Sequence, residues 1–392
     1  MTRVLVLGMA RSGVTAAAAL ERRGAEVVRV DRTLGNDADI ALLDGVDELV
    51  KSPGVPGEHV LVARARELGI PVRSEVELGF RLLGVELVGV TGTNGKTTTA
   101  ELLGAILTRK VAGNVGRALT GLDGEVEPGE LVVCELSSFQ LEDVHALRCR
   151  VAILLNLEPD HLDRHGSFEA YRDAKLRIFE NQTAEDWAVL PRGFGAVPGA
   201  GSRVEFAWDD ALPAEPRIPG RHNRENAAAA TAAARALGVP DGQIAHALET
   251  FPGVPHRLEP VGERRGVRFV NDSKATNVAA ALRALDAYAG EPVRLIAGGS
   301  RKGEDVAPLA AAIGPNVRSV FLIGETADEL AAALQVPYDR VDTLERAVAA
   351  AYAAAEPGDV VLLSPAAASY DQFRDFEHRG EEFRRLVANL EG

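Results

Sequence analysis

Few cysteines and no long apolar run occur in this chain, and these absences exclude several classes of protein. Only two of its 392 residues are cysteines, Cys134 and Cys149, and neither belongs to a closely spaced metal-binding or redox motif. We therefore expect two buried thiols. No apolar stretch approaches the roughly 20 residues that cross a bilayer, and residues 1–3 lead directly into a strand instead of a signal peptide. The sequence predicts a cytoplasmic protein.

An excess of positive charge is also missing. The 57 acidic residues outnumber the 43 basic ones, which gives a formal net charge of −14. Nucleic-acid binding needs a basic surface to meet the phosphates, so this balance argues against a nucleic-acid partner. The length predicts two or three domains, and a content of 46% hydrophobic and 26% charged residues is typical of a globular enzyme. No repeat of fixed period occurs.

The most informative segment is VTGTNGKTTT at residues 90–99, which lies between an apolar strand and a helical pattern. Gly92 and Gly95 allow backbone N–H groups to turn toward an anion, and Lys96 can reach the outer phosphates of a nucleotide. Thr97 can ligate magnesium. The general P-loop pattern has a further glycine where this chain has a valine, so we interpret the segment as a shortened variant. The alternative is a glycine turn followed by a capping threonine and an exposed lysine.

The N-terminal block has the pattern of a βαβ unit. An alanine-rich helical segment separates two predicted strands, residues 4–7 and 27–30, and the second strand ends at Asp31. Residues 8–13, GMARSG, fit the dinucleotide-binding fingerprint only if Ala10 replaces its middle glycine. Alanine hinders the close approach of a pyrophosphate there. We therefore favour a different nucleotide-bearing ligand over a nicotinamide cofactor.

Two side chains of the second block, Glu135 and His161, are candidates for the chemistry. Glu135 ends a predicted strand, and His161 follows the next strand, residues 151–155. Parallel strands present their carboxyl ends at the edge of the sheet where ligands bind, so each side chain could hold magnesium. Lys175 lies in a helical pattern, and a helical lysine is usually a solvated surface group. The residues alone therefore give Lys175 no role.

The third block predicts another parallel sheet, with strands at residues 267–270, 293–297, 320–323 and 360–363. Polar loops follow three of these strands, at residues 271–277, 298–303 and 364–373. Three polar loops at one sheet edge predict a binding site, and their lysines and hydroxyl groups suit an anionic substrate.

Four motifs together resemble the Mur ligases, which are ATP-dependent amide-forming enzymes of peptidoglycan synthesis. The motifs are TGTNGKT at residues 91–97, ELSSFQ at 135–140, PHR at 255–257 and GG at 298–299. The loops that begin at Asn271 and Ser364 are similar to those of the D-glutamate-adding branch, although Tyr370 stands where leucine is common in the family. A folylpolyglutamate synthase would have an Asp-Gly-Ala-His-Asn-Pro type of segment near Asn271, and this chain has none.

The resemblance implies an α/β fold of three domains. These are a Rossmann-like N-terminal domain that binds a UDP-linked substrate (residues 1–74), a central ATP-binding domain of the P-loop ATPase type (75–254), and a Rossmann-like C-terminal domain that binds an amino acid (255–392). The implied reaction is ATP- and Mg²⁺-dependent ligation of D-glutamate to UDP-N-acetylmuramoyl-L-alanine through an acyl phosphate. The resemblance further implies a monomer without nucleic-acid partners or membrane insertion. Two alternatives are another Mur-type or cyanophycin-type amide ligase and a non-catalytic nucleotide-binding regulator.

The resemblance also assigns roles to individual residues. The catalytic residues would be Lys96, Glu135, His161 and Lys175. The magnesium ligands would be Thr97, Glu135, His161 and Lys175, the last as a carbamate. ATP would contact Gly92, Thr93, Asn94, Gly95, Lys96, Thr97, Thr98, Asn223, Asn226, His256, Arg257 and Asp272. The UDP-linked substrate would contact Arg11, Ser12, Asp31, Arg32, Gly54, Asn114 and His161. D-Glutamate would contact Lys274, Thr276, Lys302, Ser369, Tyr370 and Phe376. Hinges for domain closure are expected near Ser74 and Val254.

Overall fold

The computed structural model describes residues 2–114, 116–301 and 305–390. The chain forms two compact units, of which the first comprises Met1–Pro216 and His222–Glu249 and the second comprises Arg217–Arg221 and Thr250–Gly392. The first unit contains two parallel sheets and the second unit contains one mixed sheet. Both cysteines are buried and free, as the sequence predicts. No helix among the described residues is long and apolar enough to cross a membrane.

The N-terminal sheet has four parallel strands in the order β2-β1-β3-β4. Its strands are β1 (Arg3–Leu7), β2 (Glu26–Val30), β3 (Glu48–Lys51) and β4 (Val72–Ser74), and its helices are α1 (Arg11–Glu21) and α2 (Val60–Glu67). A Cβ atom on Gly13 would lie 1.9 Å from the carbonyl oxygen of Gly8. The last glycine of the GMARSG segment is therefore required for α1 to pack closely against the end of β1.

The central sheet has six parallel strands in the order β10-β9-β8-β5-β7-β6. Its strands are β5 (Glu86–Thr91), β6 (Val111–Gly113), β7 (Leu131–Glu135), β8 (Cys149–Leu154), β9 (Trp187–Pro191) and β10 (Ser202–Phe206). The helices are α3 (Glu75–Leu83), α4 (Lys96–Leu107), α5 (Ser138–Leu141), α6 (Leu162–His165), α7 (Phe168–Leu176), α8 (Arg221–Ala236) and α9 (Asp241–Thr250). Because β5 pairs with both β7 and β8, the loops after these three strands meet at one edge.

The third sheet has the order β11-β12-β16-β13-β14-β15. Its strands are β11 (Glu259–Arg264), β12 (Val267–Asn271), β13 (Val293–Gly298), β14 (Val317–Ile323), β15 (Tyr338–Asp342) and β16 (Val360–Leu363). Its helices are α10 (Val278–Ala287), α11 (Ala307–Ala312), α12 (Ala327–Ala333), α13 (Leu344–Ala354) and α14 (Phe376–Ala388). The four predicted strands are confirmed, but the expectation of an all-parallel sheet is wrong because β11 pairs antiparallel with β12. Since β12, β16 and β13 are parallel neighbours, their three polar loops share one edge.

Candidate active site

The segment predicted to bind phosphates forms a tight loop between β5 and α4. Gly92 and Gly95 have φ angles of 151° and 83°, a backbone region that residues with a side chain rarely adopt. A Cβ atom on Gly95 would lie 2.2 Å from the Oδ1 atom of Asn226 in α8. The loop therefore needs glycine both for its backbone and for the approach of Asn226, whose amide lies 3.5 Å from Asn223.

Two lysines converge on this loop. The Nζ atom of Lys96, the first residue of α4, donates to the carbonyl oxygens of Gly92 and Thr93, each at 2.9 Å. The Nζ atom of Lys175 in α7 donates to the same Gly92 oxygen at 2.8 Å. The fold thus brings two cationic side chains, 79 positions apart in the chain, to one acceptor.

Lys175 is buried, so the expectation of a solvated surface group, reached from the residues alone, is wrong. Only 2% of Lys175 is exposed, and its Nζ atom lies 4.6 Å from the centre of the Tyr171 ring. Burial, with a further contribution from the charge of Lys96, lowers the pKa of Lys175 to about 7. Near pH 7 the Lys175 side chain is therefore a neutral, nucleophilic amine in a substantial fraction of the molecules.

The carboxylate of Glu135 lies beside the phosphate loop at the end of β7. In the β5–β7 pairing, Glu135 is opposite Val90, directly before the loop. Glu135 is 2% exposed, and its Oε1 atom accepts a hydrogen bond from the Asn114 side chain at 3.1 Å. The backbone N–H of Asn114 also donates to the Glu135 carbonyl at 2.9 Å. The structure thus brings together Glu135 and Asn114, which the sequence assigned to different ligands.

The segment after β8 holds the phosphate loop through hydrogen bonds that sequence reasoning missed. The side chain of Asn156 accepts from the Asn94 N–H at 2.8 Å and donates to the Asn94 carbonyl at 3.2 Å. The side chain of Asn94 donates to Glu158 Oε2 at 2.9 Å, and the Glu158 N–H donates to Thr93 Oγ1 at 3.0 Å. The polar character of Asn156 directly after an apolar strand was the available signal.

His161 is the N-cap residue directly before the short helix α6 and has a positive φ of 51°. Its imidazole is half-exposed, lies 4.8 Å from the ring centre of Phe139, and has the Asp160 carboxylate 3.6 Å away. Thr97 and Thr98, in the first turn of α4, are buried. The phosphate loop after β5 and the segment with His161 after β8 thus lie at the same edge of the central sheet.

The described residues contain no group of three or more His, Cys, Asp or Glu side chains that could hold a metal ion. The predicted magnesium set still fits this site, because Glu135 is a buried carboxylate and Lys175 is a buried amine whose lowered pKa allows it to react with CO₂. The resulting carbamate would replace an ammonium group by the oxygen donors that magnesium prefers.

Five of the seven predicted UDP-binding residues lie around the carboxyl edge of the N-terminal sheet, whereas Asn114 and His161 belong to loops of the central sheet. The Asp31 carboxylate accepts from the Met9 N–H at 2.6 Å and from the N–H and Oγ1 of Thr33 at 2.8 and 2.6 Å. The hydroxyl group and backbone N–H of Thr33, with the N–H of Met9, lower the pKa of Asp31. Arg11 donates to the Gly116 carbonyl at 2.8 Å, which connects α1 to the Asn114 loop. Three other predicted residues flank these contacts: Ser12 in α1, Arg32 next to Asp31, and Gly54 after β3.

In the second unit, Asp272 is a buried carboxyl group at the end of β12. It accepts from the Ser364 hydroxyl at 2.8 Å and from the Leu258 N–H at 3.2 Å. Burial raises the pKa of Asp272 to about 7, and the hydrogen bond from Ser364 and the charge of Arg257 oppose this shift. His256, with a φ of 63°, is buried near Asn271, and burial lowers its pKa.

The described residues of the predicted D-glutamate set lie at the same edge of the third sheet. Thr276 lines a small cavity together with Ser300 and Thr326, which sequence reasoning did not select. Lys274 has its Nζ atom 5.8 Å from the Phe376 ring centre, and Ser369 is buried whereas Tyr370 is 73% exposed. Lys302 lies outside the described residues.

Arg379 in α14 is fully buried and joins two of the polar loops, a role that sequence reasoning also missed. Its guanidinium group donates to Ser273 Oγ at 2.9 Å, to the Ser273 carbonyl at 2.8 Å, and to the carbonyls of Ala367 and Ala368, both at 3.1 Å. Burial lowers the pKa of Arg379 to about 10. Nothing in the helical pattern around Arg379 distinguished it from a surface arginine.

Two family models and several known proteins match this chain. Residues 90–193 match the Mur ligase middle domain, and residues 256–367 match the Mur ligase, glutamate ligase domain. A UDP-N-acetylmuramoylalanine--D-glutamate ligase of Anaeromyxobacter dehalogenans is 43% identical over 98% of this chain and 97% of its own length. The enzyme of the same name from Geobacillus kaustophilus is 40% identical over 99% of this chain and 98% of its own length.

Solved structures show the same fold at low sequence identity. The UDP-N-acetylmuramate-alanine ligase of Thermotoga maritima aligns over 100% of both chains with a TM-score of 0.63 and 19% identity. A MurF ligase from the same organism, solved in complex with ADP, aligns over 89% of this chain and 91% of its own with a TM-score of 0.63 and 19% identity. At such identities the likeness concerns the fold alone.

Proposed function

The chain belongs to the Mur ligase family, and we propose that it joins D-glutamate to UDP-N-acetylmuramoyl-L-alanine at the expense of ATP. The observation that carries this proposal is the pairing of a phosphate loop with a buried, low-pKa lysine at the Gly92 carbonyl, in a chain 43% identical to a D-glutamate ligase. The proposal includes a monomeric, cytoplasmic enzyme that uses ATP and Mg²⁺.

The nucleotide phosphates would lie on the loop between Gly92 and Gly95. The N–H groups at the start of α4 point toward this space, and the helix dipole adds partial positive charge. Lys96 would exchange its contacts with the Gly92 and Thr93 carbonyls for the β- and γ-phosphates, since a phosphate is a stronger acceptor for an ammonium group. Asn223 and Asn226 would border the nucleotide in the first unit, and His256, Arg257 and Asp272 in the second.

The magnesium ions would be held by Thr97, Glu135, His161 and the carbamate of Lys175. When bound, they would neutralise the charge of the phosphoryl group during its transfer. In the protein itself, Asn114 orients the Glu135 carboxylate through its amide hydrogen bond. Burial of Lys175 keeps its amine neutral in part of the molecules, as carbamate formation requires.

The reaction would begin when the L-alanine carboxylate attacks the γ-phosphorus, which forms an acyl phosphate and releases ADP. The amine of D-glutamate would then attack the acyl carbon, and the tetrahedral intermediate would expel inorganic phosphate. Arg11, Asp31 and the Gly54 turn would hold the UDP half, so that binding energy far from the carboxylate orients it for attack.

D-Glutamate would bind at the loops after β12, β13 and β16. Lys274 and Lys302 would meet its carboxylates, and Thr276 and Ser369 would supply hydroxyl groups. Water must be excluded while the acyl phosphate exists, so we propose that the C-terminal domain closes over the central one about a hinge near Val254.

A phosphate-release assay with UDP-N-acetylmuramoyl-L-alanine, ATP and a panel of amino acids tests the proposal. We expect D-glutamate alone among L- and D-glutamate, L- and D-aspartate, L-alanine and L-lysine to stimulate release. Stimulation by another amino acid would identify a different amide ligase. Nucleotide binding without stimulation by any amino acid would identify a regulator.

A further inference from the structure

We propose that Arg164 is a positioning residue that holds the His161 loop in register with the turn after β3. This inference rests on the proposed function, because it concerns how the same site aligns its substrate. Arg164 lies in α6, three residues after His161. Its Nη1 atom donates to the Pro53 carbonyl at 2.8 Å, and its Nη2 atom donates to the Val55 carbonyl at 3.0 Å. These two carbonyls flank Gly54, which we assign to the UDP half of the substrate.

The same guanidinium group lies on the aromatic ring that supports His161. Its central carbon is 3.8 Å from the centre of the Phe139 ring. The Phe139 ring also lies 4.8 Å from the His161 ring and stacks with the His165 ring at 5.4 Å. Arg164 therefore links the turn after β3 to the ring that touches His161.

Glu142 fixes the position of the Arg164 guanidinium group. Its carboxylate accepts a hydrogen bond from Arg164 Nη2 at 3.3 Å and lies 3.5 Å from His165 Nδ1. It also pairs with Lys51 at 3.3 Å, and Lys51 is fully buried at the end of β3. The connection between the N-terminal and central sheets thus consists of several charged groups with fixed partners, so Arg164 has little freedom to take another position.

A planar guanidinium group is suited to this task in a way that an ammonium group is not. It donates to two carbonyls in a fixed fork while its face packs on an aromatic ring. Lysine keeps the positive charge but loses both the fork and the stacking. Replacement of Arg164 by lysine therefore separates the bridging geometry from the charge.

The functional consequence is that binding of the UDP half positions the L-alanine carboxylate for reaction. In the proposed reaction the UDP half binds at the N-terminal sheet, whereas the L-alanine carboxylate reacts near His161. If Arg164 fixes the positions of these two regions relative to each other, its loss should reduce the gain in kcat/KM that the UDP part of the substrate provides. Its loss should leave ATP binding unchanged, because the hydrogen-bond and ring partners of Arg164 among the described residues lie outside residues 92–97.

The experiment compares kcat/KM for UDP-N-acetylmuramoyl-L-alanine with kcat/KM for N-acetylmuramoyl-L-alanine 1-phosphate, which lacks the UMP part. The variants are R164A, R164K and R66A, with the full-length parental chain as reference. Arg66 is the matched control: it also connects the two sheets, by donating to Asp143 at 2.8 Å, but it does not contact Phe139. Unfolding temperatures and the KM for ATP are measured for each variant.

We expect the ratio of the two kcat/KM values to fall at least about tenfold in R164A and R164K, as misplacement of a reacting group predicts, and to stay within about twofold in R66A. The KM for ATP should stay within about twofold in all three variants. An unchanged ratio in R164A, or an equal fall in R66A, would overturn the positioning role. If R164K keeps the ratio of the parental chain, the positive charge alone is sufficient, and this result would also overturn the positioning role. Failure of the proposed function is a separate result, because the parental chain would then not release phosphate with D-glutamate.

Discussion

Lys96 and Lys175 donate hydrogen bonds to one acceptor, the carbonyl oxygen of Gly92, at 2.9 and 2.8 Å. Two ammonium groups so close together repel each other, and this repulsion adds to burial in lowering the pKa of Lys175 to about 7. The phosphate loop and the lysine of α7 thus form one electrostatic unit. A change of charge at either lysine should affect the other.

Lys175→Ala should lose most activity, because the variant lacks the group that we propose to become an anionic carbamate. Added formate or acetate should restore part of the activity by supplying a small carboxylate. The measurement is phosphate release with and without the carboxylate. Lys110→Ala is the control, since Lys110 lies away from the loop with its Nζ atom bonded to the Glu125 carbonyl. Activity of Lys175→Ala close to parental without any additive would exclude the role.

Lys96→Ala should lower kcat about 100- to 1,000-fold, the loss typical of removing one donor to a transition-state oxygen. The fold should be retained, because the Lys96 ammonium donates to backbone carbonyls of its own loop and not to the hydrophobic core. Steady-state kinetics at saturating ATP, with circular dichroism as the control for folding, checks this. Near-parental turnover would show that the phosphate-loop assignment is wrong.

Lys302→Ala should raise the KM for D-glutamate far more than the KM for ATP. A lost charge-assisted contact with a substrate carboxylate costs about 1.5–3 kcal/mol, which corresponds to a factor of about 10 to 150. The neighbouring Arg301 pairs with Glu329, and Arg301→Ala therefore serves as the matched control. Equal changes in both KM values would place Lys302 outside the acceptor site.

Replacement of both Arg11 and Arg32 by alanine should weaken binding of UDP by about tenfold or more, because two cations near a diphosphate are lost. Isothermal titration of the parental chain should show binding of UDP and none of NADH. Arg29→Ala is the control, since Arg29 pairs with Glu21 on the surface. Tight binding of NADH without binding of UDP would instead favour an oxidoreductase.

Asp272→Asn should change how stability depends on pH. The pKa of Asp272 is about 7 in the folded protein, against about 3.9 when unfolded, so between these values the folded state holds the extra proton. The free energy of unfolding contributed by Asp272 therefore falls as pH rises from about 4 to about 7. Urea unfolding across this range should show the parental chain losing stability relative to Asp272→Asn. A difference that is constant with pH would contradict the raised pKa.

The residues whose structure could be predicted from the sequence are those with local signals. The glycines and Lys96 lie directly between a strand and a helix, so their spacing was sufficient to predict the loop between β5 and α4. The strands around Val267, Val293, Val320 and Val360 are apolar and buried, and each was predicted correctly. The strands β11 and β15 were missed because they lie at sheet edges, where most of their residues are partly or fully exposed.

Lys175 and Arg379 show what local patterns could not predict. The burial of Lys175 depends on the Gly92 carbonyl, which is 83 positions away in the chain. Arg379 is buried because its partners, Ser273 and the carbonyls of residues 367 and 368, come from two loops that only the folded sheet brings together. For Lys175 the family resemblance supplied the role that the helical pattern did not.

The central claim is that the carboxylate of UDP-N-acetylmuramoyl-L-alanine is activated by phosphoryl transfer before D-glutamate attacks it. The most direct measurement uses this substrate with both carboxylate oxygens labelled as ¹⁸O, together with ATP and D-glutamate, and determines the mass of the released phosphate. We expect one ¹⁸O atom in each phosphate, because the bridging oxygen of the acyl phosphate leaves with the phosphorus. Phosphate without ¹⁸O, released equally well in the absence of D-glutamate, would exclude the acyl phosphate.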